Sequence, residues 1–167
     1  MAFHFYQVNN LNYPSLFKEY LITFPLRLTS LRKEVLYILW SANKPLKAYE
    51  ILDSLLQTKP NSTPPTVYRA LMFFISANVV HKIESIQSYT LCSEPEKHLP
   101  SEILMVCNDC HQVIEIYDAK MRELVANIAR NNNFHLKQDV IELKGSCRIC
   151  VKNFKLGQES EQNAVIF

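Results

Sequence analysis

The chain has 167 residues, 48% of them hydrophobic and only two of them glycine, which fits one domain or two small ones and excludes a glycine-rich phosphate loop. Its net charge of +2 is split unevenly: residues 1–83 carry nine lysines and arginines against four acids (+5), and residues 84–167 carry nine against twelve (−3). No uncharged apolar run reaches the roughly 18 residues of a membrane span, and MAFHFYQVNN lacks the features of a secretory leader, so the expectation is a soluble, cytoplasmic protein with reduced thiols.

Pro14–Thr23 is a short, aromatic-rich amphipathic segment. Thr29 or Ser30 can cap a second helix, with Glu34 near the capping-box position and Leu31, Val35, Ile38 and Leu39 on one face. After Pro45, LKAYEILDSLL predicts a third helix that buries Ile51, Leu52 and Leu55. NSTPPTVYRALMFFISANVV predicts a fourth, capped by Ser62 or Thr63, with proline in its first turn. Its core face is Val67, Leu71, Phe74 and Ile75; Thr66, Arg69 and Met72 point away, and Tyr68 lies at the boundary. VVHKIE and SYTLCS read as two strands around a turn at Ser85–Ser88. Three helices followed by a β-hairpin are the layout of a winged helix-turn-helix, and a basic half of this kind suits a polyanion, although ordinary scatter of surface charge would look the same.

SEPEKHLPSE (Ser93–Glu102) is polar and contains proline, which predicts a hinge. Beyond it the pattern becomes mixed: strands at Ile103–Cys107, Val113–Tyr117 and Val140–Lys144, and a helix at Ala119–Arg130 with Met121, Leu124, Val125 and Ile128 on one side. The predicted fold is α+β, with an N-terminal winged-helix domain (1–92), a hinge (93–102), a small α/β domain (103–152) and an unassigned tail (153–167).

MVCNDCHQVIEI holds Cys107 and Cys110, and GSCRIC holds Cys147 and Cys150, with 36 residues between the pairs. C-x-x-C lets two sulfurs reach one ion without strain, and four thiolates suit tetrahedral zinc in a structural role. A thioredoxin-like redox couple is the rival, but it leaves the second pair unexplained, and Cys110 leads into the strand-like HQVIEI rather than a helix. A four-cysteine site leaves no open coordination position. No Ser/His/Asp set or HExxH motif is present either, so the expectation is a protein that is not an enzyme.

Taken in order, PPTVYRAL, VHKIES, SYTLC, CNDCHQVIE and VIELKGSCRIC resemble the ferric uptake regulator superfamily, and within it the zinc uptake regulators. The similarity runs from about Leu28 to Cys150. It implies a homodimeric, metal-dependent repressor of metal uptake genes that binds double-stranded operator DNA, with the second domain dimerising. It also implies a second, regulatory zinc held by His81, Cys92, His98 and Glu115, making two Zn2+ per chain. Alone, each of these residues has a blander role: a solvated histidine, a small buried thiol, an exposed strand carboxylate. His98 lies nine residues before Cys107, and His111 or a water are the other candidates for the fourth ligand.

On the recognition helix, Arg69 has the chemistry for a bidentate contact to guanine, and Tyr68 for phosphate or thymine. The resemblance adds Tyr49 on the preceding helix as a base contact; Lys47 and Arg32 are candidate phosphate neighbours, although exposed basic residues usually only solvate a surface. Alternatives are an iron, manganese or peroxide sensor of the same superfamily, a thiol oxidoreductase, and a zinc-stapled interaction module that never binds DNA.

Overall fold

A computed structural model describes residues 13–24, 27–93, 102–136 and 140–153. The chain divides after Cys92 into two compact units.

The first unit contains α1 (Ser15–Thr23), α2 (Ser30–Ala42), α3 (Ala48–Leu56), α4 (Pro64–Ser76), β1 (Val80–Ile83) and β2 (Ser88–Leu91). Helix α2 starts where Thr29, in extended backbone, accepts the Arg32 N–H at 3.4 Å, and it stops where Asn43 turns left-handed at φ 48°. Glu50 stabilises the start of α3 by accepting the Lys47 N–H at 2.7 Å. Pro64 and Pro65 open α4, where missing N–H groups cost nothing. No side chain caps that end; Thr63 instead shares a hydroxyl–hydroxyl bond with Thr66 at 3.0 Å.

The core gathers Val35, Leu36 and Leu39 of α2, Ile51 and Leu55 of α3, and Val67, Ala70, Leu71 and Phe74 of α4. Leu31, Ile38, Leu52 and Ile75, expected inside, are only partly buried at its edge. Leu36 and Glu34 are buried instead, Glu34 against Tyr13 from outside the helix. Phe17 is fully buried, with its ring 5.0 Å from Tyr37 and 5.3 Å from Trp40. Tyr13 donates to Glu34 Oε1 at 2.9 Å inside this layer. Burial, and then that hydrogen bond, hold the Tyr13 phenol far above its ordinary range. Tyr13→Phe leaves a buried carboxylate short of its donor and is expected to lower stability by about 1–3 kcal/mol. Urea unfolding measures this, and a loss below about 0.5 kcal/mol would show that the bond contributes little.

β1 and β2 pair antiparallel, with His81 opposite Thr90. Their connection is a 3-10 turn at Glu84–Ile86, closed by Gln87 at φ 50°. A short bridge adds to this hairpin: Leu46 and Tyr89 exchange N–H···O bonds of 2.9 and 2.8 Å, tying the α2–α3 loop to the sheet edge. The result is a winged helix-turn-helix.

The second unit contains β3 (Glu102–Cys107), β4 (Val113–Ile116), α5 (Ala119–Asn131) and β5 (Val140–Gly145). β3 begins one residue inside the stretch expected to be hinge. The sheet order is β4-β3-β5; β4 runs antiparallel to β3, and β5, reached through α5, runs parallel to it. Asp118 caps α5 by accepting the Lys120 and Met121 N–H groups at 2.8 and 3.1 Å. Ile103, Leu104 and Val106 are buried in β3, yet the apolar stripe of α5 stays open: Met121, Leu124 and Ile128 are 40, 57 and 54% exposed. Met105, Ile114 and Leu143 on the strands are also exposed. No helix among the described residues is long and apolar enough to cross a membrane.

Candidate functional site

Register explains how two cysteine pairs far apart in sequence meet. β5 lies beside β3 with Gly145 opposite Cys107. The chain therefore leaves both strands at the same end of the sheet, and each exit carries one C-x-x-C. After β3, Cys107 N–H donates to Gln112 O at 2.9 Å and His111 N–H to Cys107 O at 3.0 Å, with His111 left-handed at φ 58°. This tight turn brings Cys110 back over Cys107. After β5, Asn108 N–H donates to Gly145 O at 2.8 Å, and Cys147 N–H donates to Cys107 Sγ at 3.2 Å. Residues 148–153 are helical, which places Cys150 one turn beyond Cys147.

All four sulfurs lie within 4.8 Å of one another, and none is in a disulfide. Cys110 Sγ and Cys147 Sγ are 3.7 Å apart. A tetrahedron with Zn–S bonds of about 2.3 Å has edges of about 3.8 Å, so the set fits such an ion. The electrostatics agree with that fit. Hydrogen bonds from the backbone N–H groups of Cys110 and Cys147 pull the Cys107 thiol down to about 6, while its neighbour Cys147 pushes Cys150 upward. Sulfurs this crowded cannot all ionise without a cation among them. The Cys107–Cys110 pair joins two strands, unlike a helix-starting redox couple; Cys147–Cys150 does start a helix after β5, but its sulfurs share one cluster with the other two.

The residues of the expected regulatory set fall on both units. His81 and Cys92 belong to the wing. Cys92 N–H donates to Val79 O at 2.8 Å, extending the ladder by one step. That register puts the Cys92 and His81 side chains on the same face as diagonal neighbours, and their ligand atoms lie within 4.8 Å. His81 is buried at 7% exposure, not solvated as a lone strand histidine would be, and Cys92 is buried too. Burial pushes the nearby Tyr20 phenol up to about 12, and the Cys92 sulfur adds to the rise. Glu115 lies on β4 of the second unit, half-buried; its Oε2 accepts from Ser93 N–H at 2.9 Å, Ser93 Oγ at 2.6 Å and Tyr117 Oη at 3.0 Å. His98 lies outside the described residues. His111 is exposed on the cysteine turn.

The face expected to meet nucleic acid is open. Tyr68 is 49% exposed, Arg69 beside it is exposed, and Tyr49 on α3 is 58% exposed with Lys47 Nζ 5.9 Å from its ring centroid. Arg32 lies across α4, its guanidinium carbon 3.5 Å from the centroid of the Phe73 ring. The helical wheel leaves Phe73 between core and surface, so the sequence carries no signal for this contact.

Residues 24–144 match the model of the ferric uptake regulator family. The zinc uptake regulation protein of Escherichia coli (strain K12) is 36% identical over 126 residues, covering 75% of this chain and 74% of that protein. The zinc uptake regulation protein of Mycobacterium tuberculosis (strain ATCC 25618 / H37Rv) is 30% identical over 106 residues, covering 62% and 78%. Among solved structures, a zinc uptake regulator complexed with zinc and DNA superposes with a TM-score of 0.74 at 33% identity, covering 83% of this chain and 92% of that one. The holo form of XcZur gives 0.68 at 34% identity, covering 77% and 89%.

Proposed function

Since the chain belongs to the ferric uptake regulator family, we propose that it is a zinc-responsive, DNA-binding transcriptional repressor of zinc uptake genes, a cytoplasmic homodimer and not an enzyme. The observation that carries this reading is the likeness, across most of both chains, to a zinc uptake regulator complexed with zinc and DNA. The donor chemistry agrees with it. Four thiolates suit a structural tetrahedral zinc, and a regulatory set of thiolate, imidazole and carboxylate suits zinc rather than octahedral iron or manganese.

In this reading each chain takes two zinc ions. Cys107, Cys110, Cys147 and Cys150 hold the structural one, whose bond energy ties the ends of β3 and β5 together. His81, Cys92, His98 and Glu115 hold the regulatory one. Thiolate and imidazole nitrogen come from the wing, and the carboxylate comes from β4, where three hydrogen bonds already fix one of its oxygens. Their joint occupation ties the DNA-binding unit to the dimerising unit. In a dimer this sets the separation of the two α4 helices, which must match half-sites roughly 34 Å apart on one face of the duplex. Each α4 enters the major groove with Arg69 against guanine and Tyr68 against phosphate or a thymine methyl; Tyr49 adds a base contact from α3.

The open stripe of Met121, Leu124 and Ile128 fits dimerisation through the second unit. Zinc and operator DNA tighten each other's binding by one shared factor, and a 1% competent population without metal corresponds to about 100-fold, roughly 2.7 kcal/mol.

The test is elemental analysis of the purified dimer before and after mild chelation, with operator binding followed in parallel. Two zinc ions per chain are expected, one of them leaving together with DNA binding. One tightly held zinc with metal-independent DNA binding would remove the sensor. Cys92→Ser is expected to give a folded dimer with one zinc per chain and operator affinity lowered toward the metal-free value, about 100-fold on the same estimate. Wild-type repression by this variant would refute the regulatory role of Cys92.

A further inference from the structure

Two arginines border one shallow pocket in the first unit. The pocket, about 210 Å3 in volume, is walled by Thr29, Leu31 and Arg32 at the start of α2 and by Thr66, Arg69 and Ala70 on α4. Among the described residues no carboxylate pairs with Arg32 or with Arg69. A third cation stands close by, for Lys59 Nζ donates to the hydroxyl of Ser30, the first residue of α2, at 3.1 Å. The positive end of the α2 dipole points the same way. Arg32, the Thr29 hydroxyl and the start of α2 in one concavity make a seat for an oxyanion, with Arg69 at its rim.

The Phe73 ring gives this seat its rigidity. Arg32 lies over the ring at 3.5 Å. A guanidinium stacked by its face keeps its N–H donors, which lie in its own plane, free for an anion. It has also lost much of its rotamer freedom before the anion arrives.

We propose that this pocket seats one phosphate of the DNA backbone, with Arg32, clamped on Phe73, as the positioning residue that sets how Arg69 meets the base edges. The proposal rests on the DNA-binding reading above. Arg69 shares the pocket wall, so a phosphate held there fixes the distance from the DNA backbone to the base-reading guanidinium. Arg32 thus contributes affinity and register, and Arg69 contributes discrimination.

The experiment uses the full-length, zinc-loaded protein with a fluorescent operator duplex and a scrambled duplex, each titrated across a salt series. Arg32→Gln is expected to weaken both duplexes by a common factor of about 10, and to make the slope of log affinity on log salt shallower by about 0.9 per lost phosphate contact, about 1.8 per dimer. Arg32→Lys keeps the charge but not the planar stack, so its slope stays and its affinity falls about 3-fold. Phe73→Leu removes the clamp alone and behaves like Arg32→Lys.

Wild-type affinity and slope in an Arg32→Gln protein that melts normally would overturn the proposal. So would a loss confined to the operator, which would make Arg32 a base reader. If Arg32→Gln does not fold, Arg32→Lys decides, since unchanged affinity there rules out the clamp. A wild-type protein that binds neither duplex overturns the DNA-binding reading itself; wild-type binding with an inert Arg32→Gln overturns only the seat.

Discussion

Cys147→Ser is expected to strip the second unit of its zinc and unfold it, while the first unit stays folded. The effect is large because of what else holds that unit together. Among its described residues the buried apolar ones are Ile103, Leu104, Val106, Cys107 and Ala129, far fewer than those packed between α1 and β2. Small domains with so little core depend on a staple. A structural zinc contributes on the order of 10–16 kcal/mol of apparent binding free energy at neutral pH, comparable to or above the roughly 5–15 kcal/mol stability of a whole domain. The backbone N–H of residue 147 survives the substitution, so its donation to Cys107 Sγ at 3.2 Å is kept and the loss is that of the fourth sulfur. Hydrogen exchange together with zinc analysis measures the outcome: fast exchange from β3 to β5, unchanged protection in α2 to α4, and less than one zinc per chain. Full zinc content with native protection of β5 would show that the four-sulfur cluster is not what stabilises the unit.

Arg69→Ala is expected to abolish preference for the operator over random DNA and to leave zinc content, dimerisation and melting intact. Arg69 is exposed, so removing it costs the fold little. A bidentate arginine–guanine pair gives about 1–3 kcal/mol of discrimination, and a dimer holds two, so about 2–6 kcal/mol is lost, from roughly 30-fold upward. Binding to random duplex, which depends on phosphate contacts, falls much less. Competition between operator and scrambled duplex at fixed salt reads this ratio directly. An unchanged ratio would move base readout elsewhere on α3 or α4. Arg69→Lys, charged but unable to form the fork, should restore non-specific affinity without restoring the preference.

The two halves of the molecule are legible in the sequence to different degrees. Helical periodicity marks the core faces of α2, α3 and α4, because residues such as Val35, Ile51 and Phe74 recur at 3.6-residue spacing whatever covers them. Periodicity reports which side is apolar and is silent on how many sides are covered. Glu34 escapes it for that reason, since Tyr13 reaches it from outside the helix. The Leu46–Tyr89 bridge joins single residues 43 positions apart and leaves no local pattern. His81 reads as an exposed strand residue, yet it is buried in the folded chain. The four cysteines are the plainest signal because C-x-x-C is a local geometric statement. What the sequence does not show is the parallel register that sets Gly145 beside Cys107 and closes the 36-residue gap.

The uncovered stripe on α5 has a consequence for the amount of protein a cell must hold. Leu124 and Ile128 are more than half exposed on a single chain, and in the dimeric reading proposed above a second copy supplies this unit with further apolar burial. Its folding and its pairing are then one equilibrium, and its stability scales with the logarithm of its own concentration. Chains made in excess of the pairing threshold persist, whereas those below it expose the stripe to proteases. The repressor would therefore set a floor on its own working abundance, independently of any metal.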